Sequence, residues 1–446
     1  MSPRNPISRI FHTLLSAFLA GVSRLDKSLS PSLTISRLRA HHFTPSDGIY
    51  IFHFLLASFW LVLMQRPPFP YKLAIPLLYS IALLIPLTSQ FFIPATPVFA
   101  WILTFYSNQF IPSAYRPAIS VSLLPTLESV LYGANISDIL TRFTHPLLDI
   151  LAWLPYGVIH FVFPFVVAAF LWLFRSKESL HLWARTFGYM NLTGVIIQIL
   201  LPCSAPWYEL IYGLTPANYS MKGSPGGLAR IDALFGGNGY QVTFSNSPVV
   251  FGAFPSLHAG CATLEALFIS HFFPQATKFV WAYAGVLYWA TMYLTHHYLI
   301  DVVGGACLAT MFFYLFLSDE LRGAGRLAPP GMLGEYRKLR SGRNKYETYD
   351  LEAPVRTGGG LEEDDFALEE SDGEGEEDIT YRSPAADRTV FAGESGSGGK
   401  TKGVGLGKEN HRHTASIASL IRGDERSPED GWSPVAGGFG VGRGRE

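Results

Sequence analysis

At 446 residues, the chain is 48% hydrophobic and 14% aromatic but only 15% charged, well under the roughly one quarter usual for a soluble domain. A net charge of -1 gives no bulk attraction to nucleic acid, so no nucleic-acid partner is expected. Cys203, Cys261 and Cys307 show no paired spacing; they indicate neither a zinc site nor a disulfide framework, and read as packing residues.

In chain order, residues 1–48 form a basic segment with six cationic side chains (Arg4, Arg9, Arg24, Lys27, Arg37, Arg39) against Asp26 and Asp47. Ile10, Phe11, Leu14, Leu15, Phe18, Leu19, Val22 and Leu25 recur at helical spacing, which predicts an amphipathic helix on a membrane surface. The rival reading is a signal peptide, since 11–22 is a short apolar run behind basic residues. His12 interrupts that run and Arg9 and Arg24 bound it closely, which favours the surface helix.

Residues 49–320 read as a polytopic membrane domain, because its apolar runs approach the length needed to cross a bilayer as helices, about 20 residues. Spans are predicted at 49–64, 71–87, a weaker 97–105, 156–174, 186–201, 257–273, 279–294 and 302–317. That makes eight, with six as the alternative. Residues 112–155 are mixed, with 124–137 as an interfacial or re-entrant piece, and 202–254 is a long polar, Gly-rich loop. Lys and Arg concentrate in the N-terminal segment, in 175–185 and in 319–345, whereas 112–155 and 202–254 hold two each. The positive-inside rule therefore puts both termini in the cytosol and those two loops in the lumen. From about residue 321 Gly, Ser, Glu and Asp dominate, predicting a disordered cytosolic tail through 446.

Polar groups at the edges of apolar runs are expensive, so a functional role is the default there. Two such stretches stand out: Phe251-Gly-Ala-Phe-Pro-Ser-Leu-His-Ala-Gly260 and Thr295-His-His-Tyr-Leu-Ile-Asp301. His297 and Asp301 are four apart and share a helix face, so the carboxylate can hold one imidazole nitrogen and free the other to attack. His296 is the competing nucleophile but lacks that relation. His258 follows Pro255-Ser256 at a predicted helix start, where backbone N–H groups and the positive dipole end would hold a phosphate; Ser256 belongs to that cradle. An oriented imidazole nucleophile facing a second histidine fits covalent phosphoryl transfer. Among lumenal cations, Arg230 after a Gly-rich turn is the first choice for the phosphate and Lys222 the second. Asp232 is the bland partner for Arg230. No metal cluster or cofactor motif is evident.

Pro255-Ser-Leu-His258 resembles the PSGH motif of the type 2 phosphatidic acid phosphatase superfamily, and His297 to Asp301 resembles its H-x-x-x-D. The chain departs from that pattern: Leu257 replaces glycine, Ala290-Thr291 stands where the family has Ser-Arg, and there is no K-x6-R-P motif. With Leu124-Pro-Thr-Leu-Glu-Ser-Val-Leu-Tyr-Gly-Ala-Asn-Ile-Ser137, residues 50–320 resemble the fungal inositol phosphorylceramide synthase catalytic subunits, the aureobasidin A targets. The resemblance implies an all-α helical core and no cofactor. It also implies phosphatidylinositol and ceramide as lipid substrates, a small membrane regulatory subunit as partner, and a Golgi membrane. His297 would carry the phosphoryl group, and His258 would serve as acid and base. The rivals are a lipid phosphate phosphatase and a non-catalytic lipid-binding transporter or receptor.

Overall fold

The computed structural model describes residues 6–334; the predicted tail beyond 334 lies outside the described residues. The described chain is helical, with no strand and two isolated bridges that tie Ser120, Cys203 and Gly252 together. Its helices are α1 (Pro6–Ser23), α2 (Pro31–Arg39), α3 (Gly48–Leu63), α4 (Ala74–Leu84), α5 (Pro86–Phe92) and α6 (Thr96–Ser107). Next come α7 (Leu123–Tyr132), α8 (Ile136–Thr141), α9 (Pro146–Trp153), α10 (His160–Phe174) and α11 (Lys177–Leu200). The last are α12 (Pro206–Tyr212), α13 (Leu228–Phe235), α14 (Gly239–Ser245), α15 (Leu257–Phe272), α16 (Thr277–Tyr293) and α17 (Leu299–Phe316).

Each predicted apolar run is met by a helix, with two informative differences. The run at 71–87 breaks at Ile85, and α4 and α5 meet at 109°. Proline has no N–H to continue a helix but suits the first position of a new one, as Pro86 does here. The run at 186–201 starts instead at Lys177, so most of the predicted basic turn is helical, begun by an extended Ser176 and an acidic Glu178 in the first turn. Among the described residues three helical stretches are long and apolar enough to cross a membrane: Pro45–Leu63, Pro146–Phe174 and Leu299–Phe316. The bent pair α4–α5 makes a fourth if counted as one span.

The core joins α10, α11, α15, α16 and α17 around Leu171, Trp183, Met190, Leu264, Phe268, Phe272, Leu287 and Phe313. Between lipid-embedded helices there is little hydrophobic driving force, so close packing of small residues has to supply the contact. Ala259, Ala262, Ala266, Ala284 and Ala309 are all fully buried at these seams. Where α6 crosses α11, a Cβ at Gly188 would lie 2.5 Å from the Val98 nitrogen. Large side chains such as Phe54, Val62, Leu77, Phe165, Phe279 and Leu315 point outward, as a lipid-facing surface requires. Cys203 and Cys261 are buried, but Cys307 faces outward, so only two of the three cysteines are packing residues.

One seam positions the site. The Ser256 N–H donates to the Asp301 carbonyl at 3.0 Å, setting the N-termini of α15 and α17 side by side. Gly305 permits this approach, since a Cβ there would collide with the Ser256 carbonyl.

Candidate active site

Thr295 opens the loop between α16 and α17 with φ +66°, a left-handed conformation that a β-branched residue rarely adopts. Such a residue costs about 1–3 kcal/mol and persists only where its surroundings hold it. Here the N–H groups of His296 and His297 both donate to the Thr291 carbonyl, at 3.0 and 3.3 Å. The Trp207 N–H donates to the Thr295 carbonyl, and the Gly227 N–H donates to that of Leu294. A Cβ at Gly227 would lie 2.9 Å from the Leu294 Cα, so the Gly-rich turn is seated directly against this loop.

The loop turns the two histidines to different fates. The His297 Nδ1 lies 3.0 Å from the Ala253 carbonyl, which fixes the proton there and leaves the lone pair on Nε2. Its Nε2 lies 3.4 Å from the His258 Nδ1. Asp301 stands at the same nitrogen: its Oδ2 lies 3.7 Å from the His297 Nδ1, at ion-pair rather than hydrogen-bond distance, and accepts the Tyr298 N–H at 2.9 Å. Asp301 thus anchors the start of α17 and sets a negative charge beside the ring. His296 is enclosed, its Nε2 3.1 Å from the Pro225 carbonyl and its ring between Tyr156 and Phe244. Burial, with a smaller push from His297, lowers its pKa to about 3 against the pull of the Pro225 carbonyl, so it is neutral at physiological pH.

His258 sits in the first turn of α15, capped by Ser256, whose Oγ accepts the Ala259 N–H at 3.3 Å. Its ring stacks on Tyr156, with centroids 4.4 Å apart, and lies 4.6 Å from His160. His258 is partly exposed, whereas His297 is 6% exposed.

The predicted cations are placed less simply. Arg230 lies in the first turn of α13, directly after the Gly-rich turn, but its Nε donates to the Asp149 Oδ1 at 2.9 Å and its guanidinium lies over Tyr293. Asp149 is thus its partner in place of Asp232, which accepts the backbone N–H groups of Tyr240 and Gln241. Lys222 is exposed on the loop.

Sequence reasoning missed Tyr156, His160 and Phe244. The first two were visible as polar groups four apart in an apolar run, the same spacing that exposed His297 and Asp301. A widened π-turn at Leu154–Ile159, a feature frequent at functional sites, presents both to His258.

The PAP2 superfamily pattern matches residues 124–315, which include both motifs. The inositol phosphorylceramide synthase catalytic subunit of Schizosaccharomyces pombe is 51% identical over 307 residues, covering 69% of this chain and 73% of that protein. The chain belongs to the inositol phosphorylceramide synthase family. Its similarity extends to the Candida albicans synthase, 49% identical over 68% of this chain and 65% of that protein. The Saccharomyces cerevisiae catalytic subunit is 47% identical over 66% of this chain and 73% of that protein. No solved structure matches.

Proposed function

We propose that the protein transfers phosphoinositol from phosphatidylinositol to the primary hydroxyl of ceramide, giving inositol phosphorylceramide and diacylglycerol. Its membership of the synthase family supports the reaction class and the lipid substrates. The observation that carries the mechanism is the facing histidine pair. His297 offers a lone pair on Nε2 because Nδ1 is committed to the Ala253 carbonyl, and the His258 Nδ1 lies 3.4 Å from that nitrogen.

In the first step the His297 Nε2 attacks phosphorus, a P–N bond forms, and the P–O bond to diacylglycerol breaks. A protonated His258 gives its proton to the departing oxygen. The positive charge that develops on the His297 ring is met by the Ala253 carbonyl and the Asp301 carboxylate. In the second step His258, now neutral, takes the proton of the ceramide hydroxyl as that oxygen attacks phosphorus. The P–N bond breaks, and both histidines return to their starting states. Attack requires nitrogen and phosphorus within about 3–3.5 Å, so the 3.4 Å pair must part to admit the phosphate between them.

Ser256 at the start of α15, Arg230 and Lys222 are the groups proposed to hold the phosphate. Tyr156 and His160 pack against His258, Phe244 packs against the neighbouring His296, and together they help to exclude water that would hydrolyse the intermediate. The reading includes a Golgi membrane, a lumenal active site, cytosolic termini and a small membrane regulatory subunit. The Lys and Arg asymmetry supports the orientation, and the family resemblance supports the location and the subunit.

The test is a lipid assay with labelled ceramide and phosphatidylinositol on membranes carrying the protein or its His297→Ala variant. An inositol- and phosphate-containing ceramide made only by the unaltered protein is expected. Inorganic phosphate released from lipid phosphates, with no such product, would move the assignment to a phosphatase.

A further inference from the structure

The segment from Leu124 to Ser137 lies in the helical pair α7–α8, which packs against α16 and the start of α17. Glu128 is fully buried within it, and both carboxylate oxygens are used. Oε1 accepts the Ile136 N–H at 2.8 Å, and Oε2 accepts the Leu299 N–H at 2.9 Å. Ser137, also fully buried, donates its hydroxyl to the His297 carbonyl at 2.7 Å. Between them, the Tyr298 hydroxyl donates to the Glu209 Oε2 at 2.8 Å, an oxygen that also takes the Asn135 side-chain amide. Residues 297, 298 and 299 are thus each gripped by a side chain from outside α17.

We infer that Glu128 and Ser137 are positioning residues for the transfer, holding the backbone on either side of Tyr298 so that the His297 Nε2 keeps its aim. The inference rests on His297 being the nucleophile. Its physical basis is threefold. The loop begins at a strained Thr295 and holds its shape only where outside contacts fix it. The first N–H groups of a helix have no partner within it, and Glu128 and Asp301 satisfy those of Leu299 and Tyr298. A displacement of about 1 Å at a reacting atom costs on the order of a hundredfold in rate. Glutamate is required because its two oxygens meet two donors; glutamine would turn an NH2 group against one of them. Burial raises the Glu128 pKa, and the N–H groups of Ile136, Leu299 and Ser137 oppose that rise.

The test compares Glu128→Gln and Ser137→Ala with the unaltered protein and His297→Ala. Transfer rates are scaled to folded protein, measured by size-exclusion of the detergent-solubilised chain. Each positioning variant is expected to lose about tenfold or more in kcat while its KM for phosphatidylinositol moves less than twofold, the pattern of a group that acts on the transition state. Should Glu128→Gln fail to accumulate, Ser137→Ala, which removes one hydrogen bond and no charge, decides alone. Unchanged kcat per folded molecule would overturn the inference, as would a loss carried entirely in KM. An active His297→Ala would instead overturn the reading of the nucleophile beneath it.

Discussion

His296 and His297 are adjacent, yet one is sealed by two aromatic rings and a carbonyl while the other faces His258. Because the folded pKa of His296 lies near 3, below the roughly 6.5 of an unfolded histidine, the unfolded chain binds that proton first. Its contribution to stability is present above about pH 6.5 and is lost as pH falls toward 3. His296→Phe, which keeps a ring between Tyr156 and Phe244, should therefore reduce the acid-induced fall in thermal midpoint between pH 7 and pH 5. Equal falls in both proteins would show that His296 is not held neutral. At this scale the sequence was partly legible. His258, His297 and Asp301 stood out because polar groups are costly at the ends of apolar runs. The acceptor that sets the His297 tautomer did not, being a backbone carbonyl that any residue could supply from position 253. The Arg230–Asp149 pair joins α13 to α9, a tertiary contact that no local spacing signals.

Among the elements, the seam between α15 and α17 decides whether the two motifs meet. In Gly305→Ala the new Cβ would meet the Ser256 carbonyl and the Gly260 nitrogen, backbone atoms that cannot swing aside. A destabilisation of about 1–3 kcal/mol is expected, as for other overpacked cores, with a fall in transfer rate larger than the fall in folded protein. Gly285→Ala is the control, because that glycine of α16 has open space around its Cβ position and alanine is the better helix former. Equal behaviour of the two variants in thermal unfolding and transfer assays would remove the seam from the account. Helix existence was legible from apolar runs, but helix ends were not: apolarity reports the lipid-facing length and not where the backbone bonds stop. Hence α11 starts at Lys177, and the run at 71–87 breaks at a proline that an apolarity count passes over. The short helices α7, α8, α12, α13 and α14 were hidden because each lacks the long apolar stretch of a span, and α9 because it continues into α10 as one apolar stretch from Pro146 to Phe174, ten residues ahead of the predicted start.

For the whole molecule, the reading puts α12, α13 and α14 on the lumenal side, together with the histidines. Asn238, exposed at the start of α14, gives a handle on this. A membrane-impermeant maleimide should label Asn238→Cys only after sealed vesicles with their cytosolic face outward are opened. The background is expected to be low, since Cys203 and Cys261 are buried and Cys307 lies within α17, a candidate span. Labelling of intact vesicles would invert the topology. The central claim is a covalent phosphoinositol carried on His297 between two half-reactions. It is tested most directly by exchange: phosphatidylinositol and labelled diacylglycerol, without ceramide, incubated with the unaltered protein and with His297→Ala. A two-step enzyme returns its phosphoinositol group to the labelled diacylglycerol. Labelled phosphatidylinositol should therefore form with the unaltered protein and not with the variant. Inositol phosphorylceramide synthesis by a protein that performs no such exchange, or exchange that survives His297→Ala, would contradict the account.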